Sequence, residues 1–389
     1  MNVTLHLTSG CQLRCRYCYA SPGKLKAAQM DEATAIEAVE FAAKWSPGSC
    51  GIVFFGGEPL TRKDLIRRVV GYCRERETRD PTRFHFKVTT NGIALDDEFL
   101  DFSVKEDLFV AISHDGVRES HDRHRVTPDG GGTFDVVDAA ARRLLARRPY
   151  SPVLMVVSPE TVERFADSVE YLVGLGFRYV ISSLHYAGNW GSAGLRRLKR
   201  QYKRLAEIYE RWMREERKFY FSPFEVKLAS HIHGAHYRQE RCELGRRQLS
   251  VSPDGRIFPC VQFVQDGTDE TFALGDIRAG LDPARCDRVF EMADREEDAC
   301  KSCAVNLRCN HTCGCLNWQS TGSVERVSPT LCAHERMLLP ITDALGARLY
   351  KGRSAFFLQK HYNAVFPLLS LIEDQEDERS PLPSGSRPK

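Results

Sequence analysis

Between residues 3 and 217 two patterns alternate six times, and this alternation restricts the fold more than any other feature of the chain. Strand-like runs rich in Val, Ile and Phe occupy 3–8, 51–57, 84–90, 108–115, 153–158 and 179–186. Helical patterns follow at 31–45, 61–76, 97–104, 133–148, 160–175 and 194–217. In the first of these, Ile36, Val39, Phe41 and Ala42 fall near one face and acidic residues stand at the start. Strands that each precede a helix predict a parallel α/β array. Right-handed crossovers place every helix on one side once such a sheet curls. Six units fall short of the eight in a closed barrel. The expected architecture is an open, partial (β/α)6 TIM barrel, with a flat doubly wound sheet as the alternative.

The chain of 389 residues is long enough for one large domain or two to three smaller ones. A net charge of +3 is small, so bulk charge argues for neither nucleic acid nor membrane as a partner. No apolar run approaches the ~20 residues of a membrane-spanning helix. The opening "MNVTLHLTSG" lacks the basic start and apolar block of a signal peptide. The expected location is the cytoplasm. Fourteen cysteines fall mainly in two groups, one near the N-terminus and one between Cys242 and Cys332. In a reducing compartment such groups point to metal rather than disulfides.

From Cys242 the helix–strand alternation gives way to cysteines, glycines and short segments. "LSVSPDGRIFPC" (249–260) reads as a β-hairpin turning at Asp254-Gly255. The division expected is a barrel over 1–225, a small Cys-rich α+β region over 226–340, a helical segment over 341–372 and a disordered tail over 373–389. "HIHGAHYR" (231–238) reads as an exposed linker. The basic start of the 194–217 helix reads as a solvated face, with a docking surface for an acidic partner as the other reading.

Within the first group, Cys11, Cys15 and Cys18 have the spacing Cys-x3-Cys-x2-Cys on the loop after the first strand. Ligands bind at the carboxyl ends of parallel strands. An iron–sulfur cube normally takes one cysteine per iron, so three leave one iron open. An open position is where a metal meets a substrate. Three unrelated core cysteines, or zinc with a remote fourth ligand, are the plainer readings.

The motif Cys11, Cys15, Tyr17, Cys18 resembles the Cys-x3-Cys-x-aromatic-Cys of radical S-adenosylmethionine (SAM) enzymes. Further likenesses stand at three strand ends. "FFGGEP" carries Gly56, Gly57, Glu58 and Pro59; "TTNG" carries Asn91; "SHDG" carries Ser113 and Asp115. His114 in the last departs from the branched apolar residue commoner there. Arg125 in "HDRHR" matches an arginine that grips the SAM carboxylate, a task its fork suits. The resemblance implies a SAM-binding 4Fe–4S cluster on the three cysteines, reductive cleavage of SAM and a 5′-deoxyadenosyl radical that abstracts hydrogen.

The second group reads Cys242-x12-Gly255-x4-Cys260, then Cys300-x2-Cys303-x5-Cys309-x3-Cys313, then Cys332. It resembles the seven-cysteine SPASM extension of radical SAM enzymes. The resemblance implies two auxiliary 4Fe–4S clusters, three clusters in all. Cys300, Cys303, Cys309 and Cys332 would close one. Cys242, Cys260 and Cys313 would hold the other, one ligand short. Cys315, a non-cysteine side chain or a substrate thiolate are the three ways to fill it. Structural zinc is the plainer reading of the whole group. Cys50, Cys73 and Cys286 belong to no motif and read as incidental thiols.

The function this implies is a radical SAM/SPASM oxidoreductase that modifies a ribosomally made peptide, by thioether or carbon–carbon cross-linking or a related oxidation. Three alternatives stand beside it: oxidation or epimerisation of a small natural-product intermediate, anaerobic sulfatase maturation, and a non-catalytic iron–sulfur electron carrier. Sulfatase-maturing relatives place an Asp general base directly after the cysteine of the Gly-x4-Cys unit. Here that position is Val261, which takes no proton. No catalytic base is assigned. The need for low-potential electrons implies a flavodoxin or ferredoxin as reductant. The first strand begins at residue 3, so a peptide leader is expected to be read by the barrel, by a separate recognition protein, or not at all.

Overall fold

The computed structural model describes residues 2–20, 28–234, 242–246, 248–264 and 270–379. Its first part repeats strand and helix in the expected order. These are β1 (Asn2–His6) and α1 (Glu32–Trp45), β2 (Ser49–Phe55) and α2 (Lys63–Glu77), and β3 (Arg83–Thr90) and α3 (Asp97–Lys105). Then come β4 (Leu108–Ser113) with α4 (Arg118–His124) and α5 (Phe134–Arg147), β5 (Pro152–Val157) with α6 (Phe165–Leu175), and β6 (Tyr179–Leu184) with α7 (Gly191–Arg214). A two-residue β7 (Tyr220–Phe221) and α8 (Ser222–His233) follow. Helix starts are fixed locally. Asp31 accepts from the Thr34 amide at 2.7 Å and Asp96 from the Phe99 amide at 2.9 Å, caps worth about 1 kcal/mol each.

Strands β1 to β7 lie side by side in chain order, all parallel. β1 is buried on both faces from Val3 onward, which suits a parallel sheet covered by helices. α4, which no expected helical pattern marked, carries His121 to His124 of "HDRHR", and Arg125 follows as its C-cap.

The C-terminal part holds β8 (Gln248–Val251), β9 (Arg256–Phe258), β10 (Gly275–Asp276) and β11 (Gly280–Leu281). Helices α9 (Pro283–Asp294), α10 (Asp298–Lys301), α11 (Gly314–Thr321), α12 (Pro329–Lys351), α13 (Ala355–Tyr362) and α14 (Phe366–Arg379) complete it. The expected hairpin is β8–β9, with Gly255 at φ +90° in its turn. β8 also pairs with β1, in parallel, so the sheet of the barrel runs on into the Cys-rich region. The whole is a parallel α/β partial barrel with a Cys-rich C-terminal region.

Two segments differ from expectation. α8 runs through His231 and His233, where a linker was expected, and His231 Nδ1 lies 3.3 Å from Asp343 of α12. His236 lies outside the described residues. α14 runs to Arg379, into the segment expected to be unstructured, because "EDQEDER" is made largely of helix formers and continues a helix already begun. Residues 380–389 lie outside the described residues. No helix among the described residues is long and apolar enough to cross a membrane.

Candidate active site

The loops at the carboxyl ends of β1 to β6 enclose a pocket of about 330 Å³. Cys11, Cys15, Tyr17 and Cys18 line it from the first loop, Gly56, Gly57 and Glu58 from the second, and Asn91 from the third. Ser113 and Arg125 line it from the fourth. Five separate motifs thus converge on one space.

The glycines are there for the loop's own packing. The Gly57 amide donates to the Thr8 carbonyl at 2.7 Å, and the Glu58 amide to the Gly10 carbonyl at 2.8 Å. A Cβ on Gly57 would stand 2.2 Å from the Gly10 oxygen, and one on Gly56, whose φ is +134°, 2.3 Å from the Thr8 oxygen. Any side chain at either position pushes away the loop that carries Cys11.

Glu58 is only 1% exposed and its carboxylate faces the protein. Oε1 accepts from the Leu60 amide at 2.9 Å and from Thr90 Oγ1 at 2.8 Å; Oε2 accepts from the Asn91 amide at 2.7 Å. The side chain therefore ties the second loop to the third. Burial raises its pKa against the pull of those three bonds. Pro59 starts the short 3₁₀ turn that this carboxylate caps. Asn91, so held, donates from Nδ2 to Cys11 Sγ at 3.5 Å.

On the opposite wall Tyr17 OH donates to Asp115 Oδ2 at 2.5 Å, and Arg125 Nη1 donates to Tyr17 OH at 2.9 Å. Asp115 Oδ1 accepts from the Val156 amide at 3.0 Å, and burial raises its pKa. Arg125 is 6% exposed, and its Nε has no hydrogen-bond partner among the described residues. His114 turns away from the pocket. It is fully buried with its ring 4.6 Å from His121, 5.4 Å from Phe134 and its Nε2 3.6 Å from Asp138, and burial lowers its pKa to about 4. The departure from an apolar residue there is absorbed by a polar pocket behind the sheet.

Burial pushes the Cys15 thiol up to about 11 and Cys11 upward as well, so a metal binding there must displace protons. Among the described residues no three His, Cys, Asp or Glu side chains converge tightly enough to chelate a single ion. A cube that takes one thiolate per iron asks for thiols spread around it instead. Three thiols on one loop, facing a pocket lined also by Arg125, whose buried Nε has no partner among the described residues, fit a thiolate-bound cluster with an anionic cosubstrate beside it.

In the second cysteine group, Cys300 has Glu297, Cys332, Cys303 and Glu296 near it, and Cys332 also neighbours Cys309. Arg336 Nη2 donates to Cys303 Sγ at 3.7 Å. The nearly buried pair Lys227 Nζ–Glu335 Oε2, at 2.6 Å, stands beside Cys309, whose thiol burial pushes up to about 12. Cys315 Sγ lies 3.5 Å from Cys313 Sγ and also neighbours Cys260. Cys242 lines a separate cavity of about 600 Å³, together with Cys309 and Gln248. The Gln248 amide reaches Cys260 Sγ at 3.8 Å. Cys50 and Cys73 are buried in the main core.

Tyr19 was not singled out from the sequence. It is half-buried, with Cys18, Cys260 and Cys315 as neighbours, and desolvation pushes its hydroxyl well above the usual range. It lines the same pocket as Gln262, Leu316 and Gln319 from the C-terminal region. Its position directly after Cys18 was the available signal.

Residues 5–172, which carry the strand-end pocket, match the model of the Radical SAM superfamily. Among its relatives, the Cysteine-type anaerobic sulfatase-maturating enzyme of Clostridium novyi (strain NT) is 26% identical over 179 residues. That match covers 44% of this chain and only about half, 48%, of the relative. The PqqA peptide cyclase of Gluconobacter oxydans (strain 621H) is 27% identical over 337 residues, 85% of this chain and 89% of that one. The solved structure of native anSMEcpe with bound AdoMet and Cp18Cys peptide superposes with a TM-score of 0.77 at 18% identity, over 90% of this chain and 99% of that one. This last likeness is one of fold.

Proposed function

We propose that the chain is a peptide-modifying radical SAM oxidoreductase with two auxiliary iron–sulfur clusters. The observation that carries the reading is the shared pocket. Cys11, Cys15 and Cys18 and the SAM-type strand ends form one wall, and Tyr19, Gln262, Leu316 and Gln319 join it to the second cysteine group. The peptide-directed names of its relatives and the peptide bound to anSMEcpe support a peptide substrate.

In this reading Cys11, Cys15 and Cys18 hold the SAM-binding cluster. When bound, that cluster and SAM supply a 5′-deoxyadenosyl radical, which takes hydrogen from the substrate. The protein's own contribution is placement. Arg125 offers its partnerless Nε to the SAM carboxylate, and Tyr17 and Asp115 fix the guanidinium. Glu58 holds Asn91 and the Gly56-Gly57 backbone at the cosubstrate rather than touching it. Ser113 adds a hydroxyl to the same wall. Cys300, Cys303, Cys309 and Cys332 hold one auxiliary cluster. Cys242, Cys260 and Cys313 hold the other, and Cys315 completes it, since its thiol already sits with two of the three. The barrel ends near 225 and the auxiliary region spans 226–340. A flavodoxin or ferredoxin supplies the reducing electrons.

A second reading, oxidation of a Cys or Ser in a sulfatase peptide, is favoured by the match to the Clostridium novyi enzyme. Against it stands the pocket. Among the described lining residues Glu58 is the only carboxylate, and both its oxygens are engaged. Val261 puts no base beside Cys260. Incubation of the reconstituted, reduced chain with SAM and peptides from neighbouring short open reading frames tests the choice. The expected result is 5′-deoxyadenosine with a peptide mass loss of two hydrogens and no new carbonyl. A hydrazine-reactive aldehyde on a sulfatase peptide would decide for the second reading, and no 5′-deoxyadenosine with any substrate would refute both.

A further inference from the structure

A groove of about 590 Å³ runs between α7 and α12. Its floor is apolar, formed by Ala206, Met337, Pro340 and Ile341. Pro340 also leaves the Arg336 carbonyl without its helical donor. Two contacts fix the register of the helices. Tyr202 OH meets His334 Nε2 at 2.8 Å, and Arg348 Nε meets Glu210 Oε2 at 2.9 Å, so the two helices run in the same direction.

That register orders the charges along the groove: on α7 Lys199 and Lys203 come first, then Glu207, one turn on, and Glu210. Glu210 sits at the far end, held by Arg348 and Arg214. Lys199 and Lys203, one turn apart on α7, stand at the near end with Arg336. Both lysines are exposed, and neither has a carboxylate partner among the described residues. The arginines on the other flank of α7 are spent on α6 and the turn before it: Arg200 pairs with Glu163, and Arg204 with Asp167 and Glu170. The cationic end is also the redox end. Arg336 is exposed and donates to Cys303 Sγ, and Cys332 lies one helical turn before it.

We propose that this end of the groove is the docking surface for a small acidic iron–sulfur electron-carrier protein. A cationic rim attracts and orients an acidic partner, the apolar floor gives it something to bury, and the thiols behind Arg336 lie directly beneath the contact. The inference rests on the reading that Cys300, Cys303, Cys309 and Cys332 hold a cluster.

The test uses the anaerobically reconstituted full chain and an oxidised plant-type ferredoxin as the probe, with affinity read by biolayer interferometry at low and physiological salt. The wild type is expected to bind, more weakly as salt rises. Lys199→Glu with Lys203→Glu should lose about tenfold or more in affinity, and Lys199→Gln with Lys203→Gln an intermediate amount. Lys44→Glu, on the exposed surface of α1, should bind as the wild type does. Iron content, and 5′-deoxyadenosine formed with a chemical reductant, should be the same in all four proteins. Equal ferredoxin binding by the wild type and the double Glu variant overturns the proposal. So does self-association of the chain through this face in place of ferredoxin binding. Failure of the cluster reading shows separately, as wild-type iron content that does not fall when Cys303 and Cys332 are replaced.

Discussion

Glu58→Gln is the substitution that most directly probes how the pocket is held. Glutamine has nearly the same shape and keeps one oxygen for Leu60 and Thr90. Its amide nitrogen then faces the Asn91 N–H, which now donates to Oε2 at 2.7 Å. Loss of one charge-assisted bond costs about 1.5–3 kcal/mol, and a buried donor left facing a donor about 1–3 kcal/mol more. Relief from burying a charge, the same burial that raises the Glu58 pKa, returns part of this. The net expectation is a loss of roughly 3 kcal/mol in unfolding free energy, read from urea denaturation at neutral pH. Asn91 and the Gly56-Gly57 backbone should shift with it, so SAM affinity by calorimetry on the reconstituted protein should fall about tenfold or more. A variant within ~0.5 kcal/mol of the wild type, with unchanged SAM affinity, would show that the second and third loops are tied by something other than this carboxylate.

Cys315→Ala should lower iron and acid-labile sulfide per chain and remove one component of the Mössbauer spectrum, whereas Cys286→Ala should change neither. Arg125→Gln should weaken SAM binding about 10- to 100-fold through loss of charge-assisted bonds, measured by calorimetry. His334 supplies a pH test. Both its nitrogens meet tyrosine hydroxyls, Tyr186 at 3.0 Å and Tyr202 at 2.8 Å, and burial lowers its pKa to about 3. The unfolded chain takes up this proton near pH ~6.5 while the folded chain does not. The stability is therefore present above that pH and lost as pH falls, by about 2 kcal/mol between pH 6.5 and 5. His334→Gln should flatten this part of the urea midpoint–pH curve, and an unchanged slope would count against the burial argument.

Most of the barrel was readable because its strands are short runs rich in Val, Ile and Phe and its helices have a clear period. Each of β1 to β6 begins within two residues of its expected start. β7 was not readable, because two residues make no pattern. Nor was the pairing of β8 with β1, which depends on where distant segments meet and not on either sequence. At the site, spacing indicated which residues gather but not which way they face. Glu58 and His114 both belong to strand-end motifs, yet one carboxylate turns inward to hydrogen bonds and one imidazole turns behind the sheet. In the second cysteine group spacing suggested two sets, yet Cys242 shares a cavity with Cys309 of the other set. The approach of Cys315 to Cys260 and Cys313 did not follow from spacing, since it depends on α11 starting at Gly314.

The parallel pairing of Asn2–Leu5 with Gln248–Val251 has a consequence for synthesis on the ribosome. The strand that leads into the first cysteine loop emerges long before β8, one of its two neighbours. Until then β1 presents an unpaired rim to the crowded cell, the kind of rim that recruits stray strands. Closing so long a loop is also slow. The three N-terminal thiols thus wait beside an unfinished sheet, and a truncated product ending before residue 248 should accumulate as aggregate instead of as a smaller working barrel.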